Sequence, residues 1–505
     1  MEKRTVLVIA LSLLILMTWS ALMPKPQPIV NKEVATQVVG GQKVCPQAIA
    51  TPVPKIEPSA EKLFKYAQER FDVTFIEQLG AIKEVTFKAH QNYTFPLRYG
   101  FLLDGTQLEF KKESVSADAV TFVRQEQDKK IIKRFIFSKS SYDIWLELSI
   151  QNLSNTPLKF STYLVLGALD LSSQNIQSRY QDAIISGREK TQHLNIRKAI
   201  ETQEVNYIGF RDRYFCAILD PDGEMFGGFI KKINAQESEI GVKSADLLLN
   251  PGQQIGQKFH IYLGPQDLKT ISAIKPDWGA IINFGTFDFI SQILLQLLEF
   301  LYRLVHSWGW AIVILSLIVY FALYPLTLKQ MRSMKEMQAV QPKIEELRKI
   351  YKDNPQKLNK EIMELYREHK VNPLGGCLPL VLQMPIFFAL YQALMRSIAL
   401  KGASFLWIKD LSEPDRLFIL PKTLPVIGNE FNILPVLMAI GMFIQQKFTM
   451  ASASSAAAEQ QKLMTIFMPI LFGIIFYHMP SGLVLYWFVN STLMLVYQIR
   501  ISRSR

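Results

Sequence analysis

The sequence has few cysteines and few charged residues, and both shortages restrict what the protein can be. Three cysteines in 505 residues, Cys45, Cys216 and Cys377, suffice neither for a disulfide framework nor for a zinc site. A Gly-x-x-x-x-Gly-Lys-Ser/Thr loop is also missing, so we expect no ATP hydrolysis. Charged residues make up only 20% of the chain and hydrophobic residues 49%, which excludes a disordered protein.

The net charge leaves two classes of partner, and the hydrophobic runs decide between them. The 56 basic residues exceed the 44 acidic residues by 12, which favours nucleic acid or a membrane. About 20 apolar residues cross a bilayer core of about 30 Å. Charge-free stretches occupy residues 5–23, 307–328, 371–395, 431–446 and 463–499. Because Met479-Pro-Ser-Gly482 divides the last stretch, the sequence predicts six membrane spans.

Residues 1–23 are predicted to be a transmembrane anchor. The apolar core is long and no clear small-x-small cleavage site follows it, although a cleaved signal peptide is the alternative. Lys3 and Arg4 precede this span, the 329–377 loop holds 11 basic and 7 acidic residues, and basic residues follow the last span. Positive loops stay in the cytoplasm, so both termini are predicted to be cytoplasmic, with a large periplasmic region after the first span.

The periplasmic region is predicted to comprise a linker and an all-β domain. Residues 24–58 contain seven prolines and form the linker. Residues 59–284 show period-two patterns, as in Ile144-Trp-Leu-Glu-Leu-Ser-Ile150, with turn signals at Asp104-Gly105, Pro221-Asp-Gly223 and Pro251-Gly252. An antiparallel β-sandwich is favoured over a barrel. No catalytic constellation stands out, so we expect a scaffold or docking domain, with a carbohydrate or peptide site as the alternative.

Residues 285–306 form a predicted amphipathic helix between the β domain and the second span. Its polar residues recur every three or four positions, at Asp288, Gln292, Gln296, Glu299, Arg303 and His306. Such a narrow polar stripe is typical of a helix in the membrane interface. The alternative is a helix that packs under the β domain.

Within the membrane region, residues 307–505, the 329–370 loop is predicted to be a cytoplasmic helical hairpin. Asn354-Pro355 supplies an N-cap and a first-turn proline for its second helix. The hairpin is predicted either to be simply solvated or to contact a ribosome, lipid headgroups or a targeting partner. Its candidate contact residues are basic: Lys343, Arg348, Lys349, Lys357 and Arg367.

Several polar side chains interrupt the predicted spans, mostly in their cytoplasmic halves. They are Ser316, Tyr320, Tyr324, Gln383, Gln445, Tyr486 and Asn490. Unsatisfied polar groups are costly in hydrocarbon, so these residues should face one another or water. The pattern predicts a hydrophilic groove open to the cytoplasm; hydrogen bonding between helices is the alternative. The last three spans also look short: 16 residues, 431–446, give about 24 Å, which would thin the bilayer.

Five sequence stretches in the C-terminal 220 or so residues resemble the YidC family of membrane protein insertases, kin to the Oxa and Albino proteins. They are Tyr324-Pro-Leu-Thr327, Gln341-Pro-Lys-Ile344, Lys370–Pro379, Gln383-Met-Pro-Ile-Phe387 and Pro480–Tyr486, with Phe289-Ile-Ser-Gln292 as a sixth match upstream. The large domain after the first span is similar to the Gram-negative form of the family, in which it is a β-supersandwich.

The resemblance implies a non-hydrolytic insertase and folding chaperone of the bacterial inner membrane, without cofactors. Its partners would be nascent membrane proteins, the Sec translocon, the ribosome and lipids. It also implies that client segments slide along the third and fifth spans while short polar tails pass through the groove. One departure is Tyr320, which stands where many members carry an arginine. We therefore expect Tyr320, Gln383 and Asn490 to keep the groove wet by hydrogen bonding alone.

Two other functions are compatible with the residues alone. A secondary transporter would show inverted repeats or ionisable groups at the membrane midplane, and neither is evident. A structural anchor for the β domain would need none of the polar residues in the spans.

Overall fold

The computed structural model describes residues 61–103, 109–171, 180–188, 190–194, 196, 198–223, 225–234, 236–283, 287–352, 354–369, 378–424, 428–450 and 458–503. The predicted first span, the linker and the Asp104-Gly105 turn lie outside these residues.

Antiparallel strands make up the first half of the described chain. A four-stranded sheet has the order β1-β2-β3-β4: β1 Leu63–Ala67, β2 Phe71–Ile76, β3 Ala81–Phe87 and β4 Tyr93–Gly100. The strands that follow are β5 Leu102–Leu103, β6 Lys111–Val115, β7 Ala119–Gln125, β8 Lys129–Phe137, β9 Asp143–Asn152, β10 Leu158–Phe160, β11 Tyr163–Asp170, β12 Asp182–Ser186, β13 Thr191–Leu194, β14 Ile200–Val205, β15 Tyr207–Arg211, β16 Phe215–Pro221, β17 Phe226–Asn234, β18 Glu237–Ser244, β19 Leu247–Leu249 and β20 Gln254–Pro265.

The largest sheet has nine strands in the order β13-β12-β15-β16-β20-β9-β8-β7-β6. Its inner strand β9 follows the predicted alternation, since Ile144, Leu146, Leu148 and Ile150 are buried and the residues between them are half-buried. A five-stranded sheet has the order β14-β17-β18-β11-β5, and β10 pairs with β19. The prediction of an antiparallel β domain is confirmed.

The sheets share one hydrophobic core, which explains why they form layers. Phe75 on β2 contacts Phe122 and Phe135 on β7 and β8, with ring centroids 5.3 Å apart in both pairs. Phe87 on β3 stacks on Phe215 of β16 at 4.1 Å. The inner residues of the four-stranded sheet therefore pack on the nine-stranded sheet, as expected of a sandwich.

One inward-facing position of β8 breaks the apolar pattern. Lys133 is fully buried between Ile131 and Phe135. Its ammonium group donates hydrogen bonds to the backbone carbonyls of Gly80, at 3.2 Å, and Phe101, at 2.7 Å. A buried cation is tolerated when it is hydrogen-bonded in this way. Lys133 therefore links the segment after β2 and the segment after β4 to the large sheet.

Helices dominate the rest of the chain. They are α1 Leu268–Ile274, α2 Asp288–Val305, α3 Trp308–Ile350, α4 Pro355–Glu368, α5 Leu378–Arg396, α6 Ile433–Met450, α7 Ala458–Phe476 and α8 Ser481–Arg503, with the strands β21 Phe418–Leu424 and β22 Gly428–Phe431 between α5 and α6. The 43 residues of α3 span about 65 Å, so the second predicted span continues without a break into the hairpin. Asn354 caps α4 by accepting a hydrogen bond from the Lys357 N–H.

Two helical segments among the described residues are long and apolar enough to cross a membrane: Trp308–Leu328 and Ser481–Arg500. Shorter apolar segments occupy Ile433–Lys447 and Ile466–Phe476. The last span is thus longer than the sequence suggested, whereas the two before it remain short. The six-span arrangement stays a prediction.

The predicted amphipathic helix forms as α2 and has two different faces. Leu294, Leu298 and Leu301 are buried against α3 and α5, and Ser291 Oγ donates to the Ala389 carbonyl of α5 at 2.9 Å. Apolar residues on the other face are exposed, with Phe289 77% accessible. This exposed face fits the predicted placement in the membrane interface, which stays a prediction.

Candidate functional site

Three of the predicted groove residues meet between α5 and α8. The Gln383 amide donates to the Tyr486 hydroxyl at 2.7 Å, and the Asn490 amide donates to the Tyr486 backbone carbonyl at 3.0 Å. Tyr486 is fully buried and Asn490 is half-buried. Residues 486 and 490 share a face of α8 because they are one helical turn apart.

A second group of predicted residues lies where α3 passes α8. The rings of Tyr320 and Tyr324 are 6.2 Å apart, and Tyr324 meets Tyr497 edge-on at 5.6 Å. Tyr320 is only 9% exposed. Ser316 is buried on the same helix face, where its hydroxyl donates to the Ile312 carbonyl at 2.7 Å. The position at which the sequence resemblance leads one to expect an arginine is thus filled by a packed aromatic ring.

The two groups lie at different heights along α8. Tyr486 and Tyr497 are 11 residues apart, which is about 16 Å along the helix axis. In the predicted topology α8 begins at the periplasmic side, so the Gln383–Tyr486 pair lies nearer that side than the inner half where the sequence pattern placed Gln383. Gln445 is half-buried on α6, a helix that packs against α7 and α8.

The predicted basic surface of the hairpin is solvent-accessible. All five candidates, Lys343, Arg348, Lys349, Lys357 and Arg367, are exposed. Lys343 Nζ lies 2.9 Å from His369 Nε2, and the Lys357 ammonium lies 5.0 Å from the centre of the Tyr351 ring. Ile344 is buried where α3 and α4 pack, so an apolar side chain of the hairpin faces inward.

An apolar cleft of about 370 Å³ lies between α6 and α7. Its α7 wall contains Ile466, Ile470 and Ile474, which recur every four residues and are each about half exposed. The opposite wall contains Val436 and Ile440 of α6. In a bilayer such a surface contacts lipid or another hydrophobic helix.

The β domain is joined to the membrane region by a contact that sequence reasoning missed. Arg213, in the β15–β16 turn, donates to the carbonyl of Met395 at 2.8 Å and to that of Ser412 at 2.7 Å. Its guanidinium also pairs with Glu413 at 3.1 Å. We call these contacts the Arg213 joint. A single arginine in a turn gives no periodic signal, so only the fold reveals it.

An ion pair between a buried arginine and a half-buried aspartate supports the strand that leads into this joint. Arg211 donates to both carboxylate oxygens of Asp182, at 2.5 and 2.7 Å, and to the Ile281 carbonyl at 3.0 Å. Burial alone would raise the pKa of Asp182, but the Arg211 guanidinium and a hydrogen bond from His193 hold this pKa well below its ordinary value. The pair is therefore ionised at neutral pH.

Among the described residues, the other reactive groups are Cys216 and scattered His, Asp and Glu side chains. Cys216 is buried and unpaired, and burial raises the pKa of its thiol, so it is an inert core residue. Within the part of the chain that the structure describes, no group of three His, Cys, Asp or Glu side chains could hold a metal ion.

The fold and these sites define a helical membrane protein with a large β domain, and comparison with known proteins gives its family. Residues 69–297 match the family model for the YidC periplasmic domain, and residues 300–505 match the model for the 60Kd inner membrane protein. The chain belongs to the YidC family. It is therefore an inner-membrane protein whose β-rich domain corresponds to the family's periplasmic domain.

The similarity extends over the full chain. The membrane protein insertase YidC of Pelobacter propionicus is 34% identical over 100% of this chain and 99% of its own length. That of Geobacter metallireducens is 31% identical over 100% of this chain and 99% of its own length. Among solved structures, an active YidC insertase with the first transmembrane domain resolved is 21% identical, with a TM-score of 0.40, over 87% of this chain and 92% of that chain.

Proposed function

We propose that this protein inserts newly made membrane proteins into the inner membrane and assists their folding. The observation that carries the proposal is the end-to-end match with relatives named membrane protein insertase YidC, at 34% identity over 100% of the chain. Because the match includes both the β domain and the helices, it covers the parts that an insertase of this type uses.

The mechanism that we propose lets polar tails cross through the space between α3, α5 and α8. Gln383, Asn490 and the tyrosines of α3 supply hydrogen-bonding groups there without a fixed positive charge. Such groups lower the cost of moving a short polar segment through hydrocarbon, because the segment exchanges water for other partners. Gln445 and Ser316 extend the polar lining in this proposal.

Client hydrophobic segments would pack on the apolar helix faces beside this groove. The exposed isoleucine row of α7 and the cleft next to it offer such a face. Packing of one apolar helix against another in lipid is driven by shape and contact, so a smooth isoleucine surface can accept many sequences. No nucleotide hydrolysis or cofactor is required for this step.

We infer six spans with both termini in the cytoplasm and divide the chain as the sequence predicts. Residues 59–284 form the periplasmic domain, 285–306 the interfacial helix and 307–505 the insertase core. The exposed lysines and arginines of the hairpin would contact ribosomes that carry nascent chains, and the protein would work alone or beside the Sec translocon.

The test is insertion of a single-span client by the full chain reconstituted in vesicles that contain no Sec translocon. Photoreactive amino acids at positions 320 and 490 should crosslink to a ribosome-stalled client. The same probe at Leu248, which is exposed on β19, is the control and should not crosslink. Vesicles that show no client insertion, or crosslinks no stronger than at position 248, would refute the proposal.

Vesicles that contain the Sec translocon as well would separate the two modes of action. Stimulation of insertion beyond the sum of the separate activities would support cooperation. If the combined insertion only equals that sum, the protein acts independently of the Sec translocon.

A further inference from the structure

The loop between α5 and α6 exposes a group of large apolar side chains, and one of them, Phe418, stacks its inner face on Phe431 at 4.6 Å. These side chains, which we call the apolar loop surface, are Leu406, Trp407, Leu417, Phe418 and Ile419. Ile419 is 71% exposed and Leu406 is 72% exposed. Monomeric proteins rarely expose adjoining residues of this kind unless the surface contacts a partner or a membrane.

Hydrogen bonds fix this surface at the start of α6. Asp415 Oδ2 accepts hydrogen bonds from the backbone N–H groups of Ile433 and Leu434, at 2.9 and 3.0 Å. The same oxygen accepts from the Trp407 indole N–H at 3.2 Å. Asp415 therefore caps the helix and holds Trp407 beside its first turn.

A second contact ties the loop to the start of α3. Phe405 lies against Gly309, where a Cβ atom would collide with its ring, and Trp310 meets the same ring edge-on at 5.5 Å. Trp310 is itself 54% exposed. The apolar loop surface thus lies at the ends of two apolar helices, at the level where the chain leaves the proposed bilayer.

The exposed charges around this surface are of one sign. The exposed charged side chains among described residues 404–431 are Lys409, Arg416 and Lys422. The four acidic residues of the same segment, Asp410, Glu413, Asp415 and Glu430, are buried or half-buried. Exposed tryptophan with neighbouring basic residues is typical of the zone where headgroups meet acyl chains.

We propose that the apolar loop surface inserts into the periplasmic leaflet of the bilayer and anchors the outer ends of α3, α5 and α6, with Lys409 and Lys422 contacting lipid phosphates. The inference rests on the proposed topology, in which this loop is periplasmic. It adds a lipid-binding surface that is separate from the groove and from the exposed face of α2.

The test measures the depth of position 419 in vesicles. Ile419→Cys, in a full-length chain whose three native cysteines are alanine, is labelled with an environment-sensitive fluorophore. The chain is reconstituted with lipids that carry a nitroxide near the glycerol end of the acyl chain or near its methyl end. We expect several-fold stronger quenching by the shallow nitroxide than by the deep one.

Leu248→Cys is the matched control, because Leu248 is 65% exposed but lies away from the proposed membrane side. The side-chain amide of Asn152, at one end of β9, donates a hydrogen bond to the carbonyl of the neighbouring residue Leu249. Asp143 is at the other end of β9, about 30 Å from Asn152 along the strand. Position 248 should not be quenched. Equal, weak quenching at 419 and 248 would overturn the proposal.

Two further arms identify the partner. The double substitution Lys409→Glu and Lys422→Glu reverses two charges. It should weaken quenching at position 419 in vesicles with anionic lipid and leave this quenching unchanged in zwitterionic vesicles. If position 419 is unquenched by lipid but becomes protected when the Sec translocon is added, the surface binds protein and the lipid proposal fails. Client insertion is measured in parallel, so that a failed anchor with intact insertion leaves the proposed function standing.

Discussion

At the residue scale, the properties of individual side chains depend on neighbours that are distant in sequence. Lys133, with its long charged side chain, would be assigned to the surface from its type. It is nevertheless fully buried, because the carbonyls of Gly80 and Phe101 accept hydrogen bonds from its ammonium group. Tyr320 occupies the position at which the sequence resemblance leads one to expect a cation, yet it packs as an aromatic residue.

Lys133→Ala should destabilise the β domain by roughly 3 kcal/mol or more, since it leaves buried carbonyl groups without donors. The change would be measured as a shift in chemical unfolding of the purified chain. Arg134→Ala is the control, because Arg134 is exposed on the same strand and its loss should cost less than about 1 kcal/mol. Equal effects of the two substitutions would contradict the role assigned to Lys133.

Tyr320→Arg should help clients with acidic tails and leave those with neutral tails unchanged. The unsubstituted chain should insert both kinds about equally, because none of the groove residues proposed above carries a positive charge to attract a carboxylate. Rates of client insertion in vesicles would be compared for the two tails. Phe321→Arg places the same charge on the exposed neighbouring position and should give no preference. Poor insertion of acidic tails by the unsubstituted chain, cured by Tyr320→Arg, would show that a cation is needed after all.

The Asp182–Arg211 pair predicts a loss of stability in acid. Because the folded-state pKa of Asp182 lies below the unfolded value of about 3.9, the pair contributes fully above that value. Its contribution falls as the pH drops through the folded-state pKa. Asp182→Asn should cost about 2 kcal/mol at neutral pH, because Asp182 is only half-buried, and should flatten the acid side of the stability profile. An unchanged profile would contradict this.

At the element scale, local patterns predicted those elements whose periodicity is written in consecutive residues. The alternation of β9, the cap at Asn354 and the amphipathic α2 all form as the residues predict. Turn glycines Gly223 and Gly252 adopt positive φ angles at two of the predicted turns. Span lengths were less well predicted, because helices continue past the first charged residue, as α8 does.

The contact between α5 and α8 can be tested with a double-mutant cycle. Gln383→Leu and Tyr486→Phe each remove one partner of the same hydrogen bond. The double substitution should then cost less than the sum of the single ones, by about 1 kcal/mol. Thermal unfolding in detergent gives the energies. Additive effects would show that the two side chains do not interact in the membrane.

At the scale of the whole molecule, the Arg213 joint decides how the β domain meets the helices. It links the β15–β16 turn to the end of α5 and to the loop that carries the apolar loop surface. Three acceptors converge on one planar guanidinium, a geometry that lysine cannot reproduce. The joint therefore holds the C-terminal end of α5 against the β domain.

Arg213→Ala should loosen this junction without unfolding the β domain. We expect faster hydrogen exchange in residues 397–416, by the equivalent of about 2–4 kcal/mol of lost local stability, and slower client insertion. Arg213→Lys should retain only part of the local stability of residues 397–416 and only part of the rate of client insertion. Arg98→Ala is the control, since Arg98 pairs with Asp170 and Glu237 inside the β domain and should leave residues 397–416 unchanged. The same exchange in all three variants would refute the joint.

The sequence by itself predicted which regions are apolar spans and which region is a β domain. It also identified the family and several polar residues within the predicted spans. These follow from composition, short motifs and periodicity, which act between near neighbours. Only the tertiary structure decided that Gln383 meets Tyr486, that Lys133 is buried and that Arg213 joins the two halves. Each of these contacts links residues that are at least 32 positions apart. Their geometry arises from packing of whole sheets and helices, which no local pattern encodes.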